Sequence, residues 1–104
     1  MSNSELIETR INRLHKDGLV DMHFDLPLGL QWRGDQDVIA KEFLPEFVAG
    51  DIGVLGVAIY VEDRFLDKAL DVALSQVARL HTGVAYAERL VICRTFAEIR
   101  DART

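Results

Sequence analysis

The chain has 104 residues, a formal net charge of −5, 49% hydrophobic residues and a single cysteine. This length accommodates one domain and excludes a complete (β/α)8 barrel, which requires roughly 250 residues. The acidic balance argues against nucleic acid and membrane surfaces as partners. Because the lone Cys93 has no disulfide partner and no segment is typical of a secretory signal or a membrane span, we expect a cytoplasmic protein.

The predicted elements alternate between helices and strands along the chain. Ser2 and Glu5 have the spacing of a capping box, which marks the start of a helix. The β-branched apolar run Ile52–Val61 is typical of a strand buried on both faces. In chain order we expect a helix ending near Gly18, a strand over Leu19–Leu26, a short helix over Asp37–Phe43, a further turn from Pro45 to Gly50, the strand Ile52–Val61, a long helix from Asp63 to Ala87, a short strand over Leu90–Cys93 and a helix from Thr95 to Ala102. This alternation predicts an α/β fold with parallel strands.

Packing is predicted by two further patterns. Gly53 and Gly56 within the second strand indicate close approach to neighbouring backbone or to a helix. The long helix carries an apolar stripe that we expect to be buried, with His81 packed beside it in the core. The stripe consists of Leu66, Leu70, Ala73, Leu74, Val77, Leu80, Val84 and Ala87.

The first strand concentrates side chains that carry chemistry. Because side chains alternate along a strand, Asp21, His23 and Asp25 are expected on one face, with Val20, Met22, Phe24 and Leu26 packed beneath helices on the other. A buried carboxylate must be paired or bound to a metal. His23 and Asp25 are two residues apart at the carboxyl end of the strand, where ligands collect in parallel α/β folds. Either a zinc or another divalent metal site, or a salt-bridged trio without metal, fits this pattern.

The segment Val20–Leu30, which reads V-D-M-H-F-D-L-P-L-G-L, resembles the opening strand of the membrane (renal) dipeptidase family. That family is a zinc-dependent branch of the amidohydrolase superfamily, with the pattern Asp-x-His-x-Asp and often Asn where Phe24 stands here. The resemblance continues in order along nearly the whole chain. Its further matches are Leu44-Pro45, Ala49–Gly53, Ala69–His81, Arg94-Thr95, Ile99 and Ala102.

The resemblance implies a hydrolase with two zinc ions on a (β/α)8 barrel, of which residues 1–104 would form a single incomplete domain, the N-terminal portion. His23 and Asp25 match the two metal ligands of the family's first strand. Asp21 lies one strand step deeper than His23, where its side chain either orients a metal ligand or makes a structural hydrogen bond. A hydroxide bridging the metals would attack the peptide bond of a dipeptide substrate. The family's other ligands and its acid–base group have no counterpart in these residues. Glu62 ends the second predicted strand, but its position does not match a family ligand.

The sequence alone therefore leaves three hypotheses for the function of the chain. In the first, the chain is the N-terminal portion of a zinc dipeptidase. In the second, it is a catalytically inactive piece that acts, if at all, through association, because two or three parallel strands leave open edges that favour a homo-oligomer. In the third, it is a small binding module with a single metal ion.

Overall fold

The computed structural model describes residues 2–104. Its elements are α1 (Asn3–His15), strand β1 (Leu19–Phe24), α2 (Leu26–Leu30), a π-helical turn (Ile39–Phe43), α3 (Leu44–Ala49), strand β2 (Ile52–Val57), a 3₁₀ helix (Asp63–Lys68), α4 (Ala69–Ala85) and α5 (Phe96–Ala102). The two strands pair in parallel, so the protein is a mixed α/β fold with a small two-stranded parallel sheet. No helix among residues 2–104 has both the length and the apolar character needed to cross a membrane.

The predicted capping box at the start of α1 forms, and α5 begins with a second one. Ser2 accepts a hydrogen bond from the Glu5 N–H at 3.2 Å, and the Glu5 carboxylate accepts one from the Ser2 N–H. Thr95 and Glu98 make the same reciprocal pair at the start of α5. These side chains satisfy backbone donors that have no partner within the helix, which is why both helices begin where the sequence predicts.

The core lies where α2 and the π-helical turn pack against α4. Ile39 is fully buried, and its side chain packs against α4 where Gly83 leaves room, since a Cβ at Gly83 would lie 2.5 Å from the Ile39 Cδ1. The buried members of this cluster are Leu26, Leu30, Val38, Ile39 and Ala87. Pro27 falls in the first turn of α2, where its missing N–H has no cost.

Two glycines allow the two strands to approach closely. Gly18 has φ of +84° in the turn before β1, and a Cβ there would lie 3.2 Å from the Gly53 Cα. A Cβ on Gly56 would lie 2.6 Å from the Met22 carbonyl oxygen. The prediction of close packing against backbone is therefore confirmed for Gly56, whereas a Cβ on Gly53 would meet the Gly18 Cα at 3.5 Å, an ordinary contact distance.

Leu90–Cys93 does not form a strand, so the prediction of a third strand is wrong. The described sheet contains β1 and β2 alone, and no other strand within residues 2–104 offers this segment a ladder of backbone hydrogen bonds. A four-residue apolar run with no neighbouring strand has no means of satisfying its N–H and C=O groups as β structure. Both observed strands also end earlier than predicted, at Phe24 and Val57.

Much of the predicted apolar packing is absent from the described residues. The Val20 and Met22 side chains on β1 are exposed, Met22 to 83%, so the expectation that they pack beneath helices is wrong. On α4 the first part of the apolar stripe, Leu70 and Leu74, is also exposed. His81 is exposed too, rather than packed in the core. The physical reason is shared: no element within residues 2–104 covers these faces.

Candidate metal site at the end of the first strand

His23 and Asp25 lie together at the carboxyl end of β1. The His23 Nε2 is 3.3 Å from the Asp25 Oδ1, and the two side chains are 73% and 48% exposed. Asp25 is also the first residue before α2, but its side chain makes no capping hydrogen bond to that helix. Its carboxylate is therefore free to face the imidazole or a cation.

The separation of these two atoms fits two ligands of one zinc ion. Zinc binds histidine nitrogen and carboxylate oxygen at about 2.0–2.2 Å in a tetrahedral arrangement, which places two ligand atoms roughly 3.3 Å apart. The observed 3.3 Å matches that spacing. Within residues 2–104, however, no group of three or more His, Cys, Asp and Glu side chains is close enough to hold a metal. His23 and Asp25 are thus two potential ligands, and the described residues do not complete a metal site around them.

Asp21 supports the backbone of His23 rather than its ring. The Asp21 Oδ1 accepts a hydrogen bond from the His23 N–H at 3.0 Å. This hydrogen bond coincides with an irregularity in the pairing of the strands. Asp21 pairs with Leu55 and Phe24 with Val57, so that three residue steps along β1 match two steps along β2. Bulges of this kind redirect side chains and occur often beside active sites. The hydrogen bond of Asp21 is thus made to the backbone of His23, as in the structural alternative for this residue.

Gly56 makes the irregularity in β1 sterically feasible. The Met22 carbonyl occupies the space that a side chain at position 56 would need. Beyond the irregularity the ladder resumes, because the Ala58 N–H donates to the Phe24 carbonyl at 3.0 Å. The backbone on either side of His23 is thus held by β2, although its imidazole is exposed.

The remaining sequence candidate, Glu62, has a different partner. Its carboxylate accepts a hydrogen bond from the Arg64 Nε at 2.9 Å, and its carbonyl accepts one from the Phe65 N–H. The Nδ1 of His15, in the last turn of α1, lies 2.8 Å from the Asp51 carboxylate. That contact ties the end of α1 to the turn before β2, and neither residue lies on the carboxyl side of the strands.

Two cavities are separate from His23 and Asp25. One of about 350 Å³ lies between the loop after α2 and α4, lined by Arg33, Asp35, Arg79 and Thr82 among others. The other, of about 420 Å³, is lined by His81 and Leu90 among others. The first is spanned by Arg79, which donates to the Arg33 carbonyl, while Arg33 itself is engaged with Glu42.

Sequence reasoning missed two buried polar residues, Gln31 at the end of α2 and Gln76 on α4. The Gln76 side chain bonds to Gln31 and to both backbone groups of Tyr60. The signal was available, because Gln76 interrupts an apolar helix between Val72 and Leu80. A polar residue that is buried almost always has hydrogen-bond partners.

Comparison with known proteins places the chain in no family. No protein-family model matches it, and no curated protein or solved structure is significantly similar.

Proposed function

We propose that the chain is the N-terminal portion of a zinc-dependent dipeptidase built on a (β/α)8 barrel. The observation that carries the proposal is the pair of donor atoms on His23 and Asp25, spaced as two zinc ligands at the carboxyl end of a parallel strand. Parallel α/β enzymes build their sites at this end of the strands. The ordered sequence resemblance to the membrane dipeptidase family supplies the class of reaction.

In this proposal the residues of the chain hold and orient metal. His23 and Asp25 bind it, Asp21 fixes the backbone of His23, and Gly56 admits the bulge that directs the imidazole. Zinc, when bound, would act as a Lewis acid that polarises the scissile carbonyl of a dipeptide and activates water. The other ligands and the proton-transfer group would come from barrel strands that follow these two.

Zinc binding by the purified 104-residue chain tests the ligand assignment. We expect weak binding in competition with a chelator, and no detectable binding by His23→Ala or Asp25→Asn. Loss of a residue that only hydrogen-bonds to a metal ligand already lowers metal affinity roughly 10–100-fold. Loss of a ligand itself should therefore lower the affinity at least as much. His81→Ala, which removes an exposed histidine on α4, is the matched control and should bind zinc as the wild type does.

Equal zinc affinity for the wild type and His23→Ala would contradict the assignment. The dipeptidase class itself is tested by sequencing the coding region beyond Thr104. We expect strands that carry a Glu and, later, two His at their carboxyl ends. Measurable dipeptide turnover by the metal-loaded 104-residue chain would also contradict the proposal, because two ligands do not complete the site.

A second candidate is a catalytically inactive chain that acts through association with a further copy of itself. It is favoured by the exposed apolar side chains of α1 and β1, which are Leu6, Ile7, Ile11, Leu14, Val20 and Met22. Where exposed apolar side chains form a contiguous patch, the patch is typical of an interface. Sedimentation at several concentrations tests it: a stable dimer that retains no zinc would favour this candidate over the first.

A further inference from the structure

Gln76 is the most completely satisfied polar side chain in the core. It is 0% exposed, and its Nε2 donates to the Tyr60 carbonyl at 2.5 Å and to the Gln31 Oε1 at 3.1 Å. Its Oε1 accepts from the Tyr60 N–H at 3.2 Å. Both Nε2 hydrogens and one face of Oε1 are therefore used, a combination that no other side chain of this shape can provide.

The partners of Gln76 come from the two loops that leave the carboxyl ends of the strands. Gln31 ends α2, which follows β1, and Tyr60 lies three residues beyond the end of β2. By pairing with both backbone groups of Tyr60, the amide takes the place of a neighbouring strand. A second contact joins the same loops, since the Trp32 and Phe65 rings pack with centroids 5.6 Å apart.

We propose that Gln76 is a positioning residue that fixes the loops after β1 and β2 relative to each other, and so shapes the rim on which the His23–Asp25 pair lies. Its part in a catalytic site rests on the proposed function. Its effect on the two loops can be measured without metal or substrate. The chain contains one tryptophan, so the fluorescence of Trp32 reports directly on this rim.

Gln76→Glu separates hydrogen bonding from filling of space. An ionised carboxylate has no donor, so at neutral pH it would face the Tyr60 carbonyl and the Gln31 Oε1 with no hydrogen to share. A protonated carboxyl has one donor and one acceptor and can pair with Tyr60 again. Burial raises the pKa of a carboxyl at this position. The contact is therefore present in acid and is lost as the pH rises through that raised pKa.

The measurements are acrylamide quenching of Trp32 and hydrogen exchange of the Tyr60 N–H, both across the acidic to neutral range. For Gln76→Glu we expect greater quenching and roughly tenfold or faster exchange at neutral pH, since a lost buried hydrogen bond costs about 1–3 kcal/mol. Both values should return toward those of the wild type in acid. The wild type over the same range corrects for the charged groups that lie on the same elements, Arg33, Arg79, Glu62 and Asp63.

Three controls complete the experiment. In Gln76→Leu, the quenching of Trp32 and the exchange of the Tyr60 N–H should both be increased at every pH, because leucine has no titratable group. Gln31→Leu should increase the quenching of Trp32 while the Tyr60 N–H stays protected from exchange. This variant tests the proposal even if the Gln76 variants unfold. Ser75→Ala, on the exposed side of α4, should match the wild type.

A Gln76→Glu variant that behaves as the wild type at all pH values would overturn the proposal. So would a Gln31→Leu variant with an unchanged Trp32. Zinc retention by His23 variants is a separate measurement, so loss of the dipeptidase assignment would leave the Trp32 result interpretable. Conversely, the wild type could bind zinc while the quenching of Trp32 is unchanged in both Gln76→Glu and Gln31→Leu. That result would reject the role of Gln76 and leave the dipeptidase assignment standing.

Discussion

Helices α1 and α4 have the same kind of amphipathic sequence and very different surroundings. Helix α4 packs against α2 and the π-helical turn, and it supplies Gln76 and Gly83 to the interior. Helix α1 has no buried residue, and it is tied to the sheet at its last turn by the His15–Asp51 pair. The difference teaches that periodicity in a sequence marks which face is apolar, whereas burial depends on an element being present to cover that face.

The strongest test of this comparison is a matched pair of isoleucines. Ile39→Ala removes a fully buried side chain and should lower the free energy of unfolding by about 2–5 kcal/mol. Ile11→Ala, on the exposed face of α1, should change it by less than about 0.5 kcal/mol. Urea unfolding followed by circular dichroism measures both. Equal losses would show that α1 is packed in solution, and the comparison would then fail.

The next test concerns the bulge beside His23. Gly56→Ala places a methyl 2.6 Å from the Met22 carbonyl, so one strand must move, and we expect a loss of about 1–3 kcal/mol. Gly34→Ala is the matched control, because a Cβ there meets nothing within 4 Å. If the bulge directs the imidazole, Gly56→Ala should also weaken zinc binding while Gly34→Ala should not. Full zinc affinity in Gly56→Ala would mean that the bulge has no part in the site.

Local signals in the sequence were sufficient for some features of this fold. Capping boxes at Ser2 and Thr95 act over three residues, and the glycine at position 56 is required by contact with one neighbouring strand. His23 and Asp25 lie close together, as their spacing of two residues indicates. These features were predictable because each depends on chemistry within one element or one strand pair.

Other features depend on long-range partners that a local pattern does not specify. Leu90–Cys93 has the composition of a strand, but a strand exists only where a neighbour accepts its hydrogen bonds. Gln76 looks like an interruption of an apolar helix until Tyr60 and Gln31 are seen beside it. The hydrogen bond between Asp21 and the His23 backbone likewise coincides with an irregularity in the pairing of two strands that are far apart in sequence.

The smallest expected effect lies at the edge of the packed region, where Arg33 donates two hydrogen bonds to Glu42, at 2.8 and 3.0 Å. These hydrogen bonds, together with the charge of Arg33, hold the pKa of Glu42 below its ordinary value near 4.5. A carboxyl whose pKa is lowered by folding stabilises the folded state above its unfolded pKa, and that stabilisation is lost as the pH falls through the folded value.

Glu42→Gln should therefore lower stability slightly at neutral pH, and the difference from the wild type should disappear in acid. Because the pair is exposed, its contribution is small and falls further with added salt. Glu8→Gln is the matched control, since it removes the same charge from exposed α1, where Glu8 makes no ion pair within residues 2–104. Urea midpoints from about pH 7 to about pH 3 measure the effect. If the urea midpoints of the two variants change with pH in the same way, the Arg33–Glu42 pair stabilises the fold no more than the unpaired surface carboxylate of Glu8 does.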